Sequence, residues 1–85
     1  LVPGFIENRH RELEELRGAL AAGRFDQLGH IGHRMRGIGS TYGFDRVSTL
    51  GGELEARAAA SDRAGLDALI AGYADYLARL KVVYE

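Results

Sequence analysis

Apolar residues recur along this chain every three to four positions, and nowhere do they alternate with period two. Phe5, Ile6, Leu13, Leu16 and Leu20 trace one stripe as far as Gly23, predicting a helix over about residues 4–22, with Pro3 suited to a first turn. Phe25, Leu28, Gly32, Met35 and Gly39 mark one face of a second helix from about Arg24 to near Tyr42, flanked by Ile31, Ile38 and Tyr42. Gly43 stands where that helix would terminate. Val47, Leu50, Gly51, Leu54 and Ala58 repeat the pattern in a third helix. A fourth, longer one carries Leu66, Leu69, Ile70, Tyr73, Tyr76, Leu77, Leu80 and Tyr84, preceded by the capping candidates Ser61 and Asp62.

Connections of a few residues favour antiparallel neighbours, so the expected architecture is all-α: an antiparallel up-down-up-down four-helix bundle, a single domain over residues 1–85. Arg9 interrupts the first stripe; its stem is expected to pack while its head reaches solvent or a carboxylate. At 85 residues without cysteine the fold depends on packing alone, and 46% hydrophobic residues make that core available.

Charge narrows the function classes. A formal net charge of -1, with Lys81 the only lysine and arginine spread over every segment, gives no pull toward nucleic acid. No apolar run approaches the roughly 20 residues that cross a bilayer, and Leu1-Val2-Pro3-Gly4 does not read as a leader, so no membrane insertion and a cytoplasmic setting are expected. Opening on Leu1 and a Pro-Gly pair, the segment is expected to be a domain of a larger signalling protein.

The candidate chemistry lies on the second helix. At about 100° per residue, His33 falls roughly opposite the apolar centre formed by Leu28, Gly32 and Met35, and so faces solvent. Asp26, Gly29, His30, Arg36, Gly37 and Ser40 share that exposed side. Each interior glycine disfavours a helix by about 1 kcal/mol relative to alanine, so Gly29, Gly32, Gly37 and Gly39 need another reason. Close helix approach supplies one for Gly32 and Gly39. Gly37, and less clearly Gly29, would instead let another protein come near the His33 ring. A lone surface histidine is commonplace; here the spacing adds weight. A neutral imidazole offers a nucleophilic nitrogen that can attack a phosphoryl group, and Arg36, one turn on, can face the resulting negative charge. Arg34 would add only weaker long-range attraction.

The run His33, Arg36, Gly37 and Gly43 matches the pattern His, x, x, Lys or Arg, Gly, then Gly six positions later. In this the sequence resembles the histidine-containing phosphotransfer (HPt) domain of bacterial two-component phosphorelays, over nearly the whole chain. The resemblance implies a four-helix bundle with the phosphoacceptor exposed midway along the second helix. It assigns His33 as phosphoacceptor, Arg36 as the phosphate-facing cation where lysine is commoner, and Gly37 as the small residue that admits the partner. It implies that Glu55, on the third helix, bonds the other ring nitrogen and orients the imidazole; an exposed Glu55 without contact is the competing arrangement. His30, Gly29, Arg34 and Ser40 would join Gly37 in the partner-facing surface, His30 otherwise being a solvated rim residue.

The implied function is a phosphorelay intermediate: His33 takes a phosphoryl group from a receiver-domain aspartate or a kinase and passes it to a response-regulator aspartate. Expected partners are a receiver domain and a hybrid histidine kinase. The domain would be a carrier without a nucleotide site, not an autonomous kinase, and would hold no cofactor or metal of its own, Mg²⁺ being expected in the partner receiver. Two other readings compete. One is a docking bundle that has lost phosphotransfer; the other is a metal site built on Asp26, His30 and His33, whose spacings of four and three share a helix face.

Overall fold

The structure, a computed structural model, describes residues 4–84, with the side chain of Tyr84 outside the description. The expectations for Pro3 and for the Tyr84 side chain therefore fall outside the described residues. Four helices follow one another: α1 (Phe5–Ala21), α2 (Phe25–Tyr42), α3 (Asp45–Ala59) and α4 (Arg63–Tyr84). Connections of three, two and three residues leave no room for a crossover. Each helix packs on its neighbours in the cycle α1, α2, α3, α4, and α2 and α3 share the most extensive interface. The result is the antiparallel four-helix bundle that the apolar periodicity predicts.

Helix ends follow local chemistry. Gly4 precedes α1 in the left-handed region at φ 79° and not inside the helix, which therefore begins one residue later than expected. Gly43 closes α2 at φ 76°, a conformation that L side chains rarely adopt. Of the two capping candidates before α4, Asp62 does the capping: its Oδ1 accepts the Gly65 backbone N–H at 2.9 Å. Ser61 instead occupies the turn at φ 50°.

The four stripes meet in one core of Leu13, Leu16, Ala19, Leu28, Ile31, Met35, Val47, Leu50, Leu54, Ala58, Leu66, Ile70, Tyr73, Leu77 and Leu80. Phe5 extends it at one end, stacked on Phe44 at 4.8 Å between ring centroids and edge-on to Tyr42 at 5.2 Å. Arg9 is buried: its guanidinium lies 4.8 Å above the Phe5 ring and its Nε donates to Glu12 at 3.1 Å. The carboxylate expected for Arg9 is thus Glu12, itself inside the bundle.

The α2–α3 interface positions the functional surface. A Cβ on Gly32 would lie 2.7 Å from the Gly51 carbonyl oxygen and 2.9 Å from the Glu55 nitrogen. A Cβ on Gly51 would lie 2.5 Å from the Arg36 nitrogen and the Gly32 oxygen, and one on Gly39 would collide with the Ser48 backbone nitrogen. Backbone meets backbone here, at a separation that only glycine allows. This contact seats the backbone of Glu55 beside Gly32, the residue that precedes His33 in sequence.

Candidate functional site

His33 sits midway along α2 with 65% of its side chain exposed, on the side away from Leu28 and Met35, which are fully buried. Its Nδ1 lies 3.1 Å from Glu55 Oε2. A carboxylate can only accept, so Nδ1 carries the proton and donates it to Glu55, which leaves Nε2 as the nitrogen with a free lone pair in the neutral ring. The sequence separation of 22 between these two residues is closed by the glycine contact of α2 with α3.

Arg36 takes a different pose from the expected one. Its Nη1 lies 3.4 Å from Glu55 Oε1, and its Nη2 lies 3.5 Å from His33 Nδ1. The second distance is at the outer limit of a hydrogen bond, and a guanidinium cannot donate to a nitrogen that already carries a proton; this contact is proximity of charge alone. The guanidinium therefore stands on the Nδ1 side of the ring, docked on Glu55 and not waiting over Nε2. The reason is electrostatic: without a phosphoryl group, Glu55 is the anion within reach. The Arg36 stem passes close to Gly52, where a Cβ would approach its Cδ to 3.7 Å, and the Ser48 hydroxyl donates to the Arg36 carbonyl at 2.9 Å.

Beside the ring, His33, Arg36, Gly37, Ser40 and Ser48 line a shallow depression of about 330 Å³. Nothing lies within 4 Å of where a Gly37 Cβ would be, so that glycine leaves open space on the histidine face. Gly29 differs: a Cβ there would touch the Ala58 Cβ at 3.6 Å. Gly29 therefore borders α3 and lines a second depression with Phe25, Asp26, Glu55, Ala58, Ala59 and Ser61. His30 is exposed one turn before His33.

Arg34 turns the other way. Its Nη2 lies 3.5 Å from Glu15 and its Nε 3.8 Å from Glu12, both on α1, and it lines a groove with Asn8, Arg11 and Ile38. Although it follows His33 in the chain, a step of about 100° carries it off the histidine face, where two carboxylates receive it. Sequence reasoning missed Ser48, Gly52 and Glu12 altogether. For Ser48 the available signal was its place one turn before Gly52 and two before Glu55 on the face of α3 turned to α2.

Among the described residues no three histidine, cysteine, aspartate or glutamate side chains come together to hold a metal ion, so Asp26, His30 and His33 do not form a ligand set. Nor is any described helix long and apolar enough to cross a membrane.

Comparisons with known proteins agree with this geometry at the level of family. No curated protein and no solved structure gives a significant match. The family model described as "Hpt domain" matches residues 1–82, nearly the whole chain. The chain belongs to the Hpt domain family, and its role is histidine phosphotransfer in a phosphorelay.

Proposed function

We propose that His33 is the phosphoacceptor of this domain, loaded from the aspartyl phosphate of one receiver domain and unloaded to the aspartate of another. The observation that carries the reading is the exposed ring whose Nδ1–H is held by Glu55, because that bond directs the lone pair of Nε2 outward. Nε2 attacks phosphorus; the P–N bond forms as the P–O bond to the aspartate breaks, and the aspartate leaves with the electron pair. The Nδ1 proton stays in place, so the phosphorylated ring carries a positive charge that Glu55 faces directly. Transfer onward runs through the same steps in reverse.

The receiver would bring Mg²⁺ and the groups around its own aspartate, which stabilise the transferring phosphoryl. This domain contributes a positioned nucleophile, a nearby cation in Arg36, and at Gly37 a surface low enough for the partner to approach. Ser40 lines the same depression, and His30 is exposed one turn before His33.

The test is incubation with a receiver domain carrying radiolabelled phosphate, comparing the wild-type domain with His33→Gln. Label on the wild type should be acid-labile and alkali-stable, and the variant should take none. Equal labelling of the two proteins would refute His33 as acceptor; labelling of neither by any receiver, with retained receiver binding, would favour a docking bundle.

A further inference from the structure

Val82 and Val83 are 85% and 72% exposed, and both stand in the last turn of α4. Large apolar side chains left so open call for a cover. Helix α4 packs on α1 and α3 and not on α2, so its outer side lies across the bundle from the helix that carries His33. Along that outer side Ala64, Ala68, Ala71, Asp75, Ala78 and Val82 are all exposed, at alternating spacings of four and three. This is the seam spacing of a two-stranded coiled coil, with side chains short enough for a second helix to come close. Where α4 begins, the seam borders a depression of about 420 Å³ between α4 and α1, lined by Leu20, Ile70 and Ala71 with Asp67 at the same flank.

We infer that the outer face of α4 is an interface for a second copy of this chain, the two α4 helices running antiparallel about a two-fold axis at the level of Tyr73. In that register Val82 of each copy packs on Ala64 of the other, at the edge of the depression, Ala78 meets Ala68, and Asp75 meets Ala71. Charge selects the direction. Lys81 follows Asp67 by two heptads on the flank turned toward α1, so antiparallel pairing brings each Lys81 alongside Asp67 of the other copy. Parallel pairing would put the two Asp75 carboxylates in one layer and set Gly72, in place of a cation, opposite Asp67. Even in the antiparallel register the two Asp75 side chains stand in adjacent layers, and their repulsion keeps the association weak. One helix pair is also a small interface, so dimers form at roughly 100 μM to 1 mM and dissociate on dilution. Both His33 faces remain uncovered.

Sedimentation equilibrium of the domain between about 10 μM and 1 mM should show the mean mass rising from one chain toward two. Val82→Asp should hold the protein monomeric throughout, and Asp75→Asn should tighten the dimer several-fold. Val83→Ser, a quarter turn off the seam, should change nothing. Lys81→Asp should weaken association, and adding Asp67→Lys should restore it. The chain has no cysteine, so introduced thiols report the direction: under mild oxidation A68C chains mixed with A78C chains should cross-link to each other, and neither alone. Circular dichroism of each variant checks that the bundle is intact. A monomer at every concentration would overturn the inference, as would a dimer that survives Val82→Asp. Cross-linking of A68C to itself, or no cross-link in the mixture while the mass doubles, would overturn the antiparallel register.

Discussion

Gly37 shows how a single position can separate stability from function. It lies inside α2, has open space where its Cβ would be, and stands on the rim of the His33 depression. Glycine there weakens the helix, and no close helix approach compensates. Gly37→Gln should therefore raise stability by roughly 0.5–1 kcal/mol in urea unfolding, since glutamine is a good helix former. The same variant should slow phosphotransfer about 100-fold, because a side chain at the rim holds the reacting atoms apart. Unchanged transfer rates in this variant would show that the partner does not approach over Gly37. The neighbouring residues divide by direction: Arg36 reaches α3, Arg34 reaches α1, and His33 between them points outward.

At the scale of helices, the glycines of the α2–α3 interface behave in the opposite sense to Gly37. Gly51 is buried and its Cβ position is occupied by the backbone of α2, whereas Gly72 in α4 has nothing within 4 Å of its own. Alanine is the better helix former at both sites. Even so, Gly51→Ala should destabilise the domain by about 1–3 kcal/mol through overpacking against atoms that cannot yield. Gly72→Ala should be neutral or stabilising by up to about 1 kcal/mol. Urea midpoints at constant slope would measure both, and equal effects of the two substitutions would contradict the close-packed interface. Because that contact seats Glu55 beside His33, Gly51→Ala should also disturb the site from a distance.

For the whole molecule, one buried carboxylate ties three helices together. Glu12 of α1 accepts from Arg9 Nε at 3.1 Å and from the Tyr73 hydroxyl of α4 at 2.9 Å, and Arg34 of α2 stands 3.8 Å from its other oxygen. Burial pushes the Glu12 carboxyl above its ordinary value of 4.5, while Arg9, Tyr73 and Arg34 oppose the rise. The phenol of Tyr73 is raised as well, by burial first and then by the Glu12 charge, so it stays a donor. With the folded value above the unfolded one, the native state binds this proton more tightly, and the Glu12 contribution to stability falls as pH climbs through the interval above 4.5. Glu12→Gln cannot titrate. Its stability relative to the wild type should improve as pH rises above about 4.5, and a difference independent of pH would refute the raised carboxyl.

Sequence alone determined the helices, their order and the outward direction of His33, because helical period and chain connectivity are local properties that burial of one apolar stripe then enforces. Gly43 was legible as a stop for the same reason: a positive φ is a demand of one residue. The partners of long polar side chains were not legible. Arg36 and Arg34 have several rotamers each, and the choice among them is made by carboxylates on other helices, at Glu55 for one and at Glu12 and Glu15 for the other. The bond from Tyr73 to Glu12 spans 61 positions, and only the assembled bundle brings the two within reach. Periodicity says which face a residue occupies; which charge it meets across that face is decided when the helices pack, since the interaction depends on distances that exist only in the folded state.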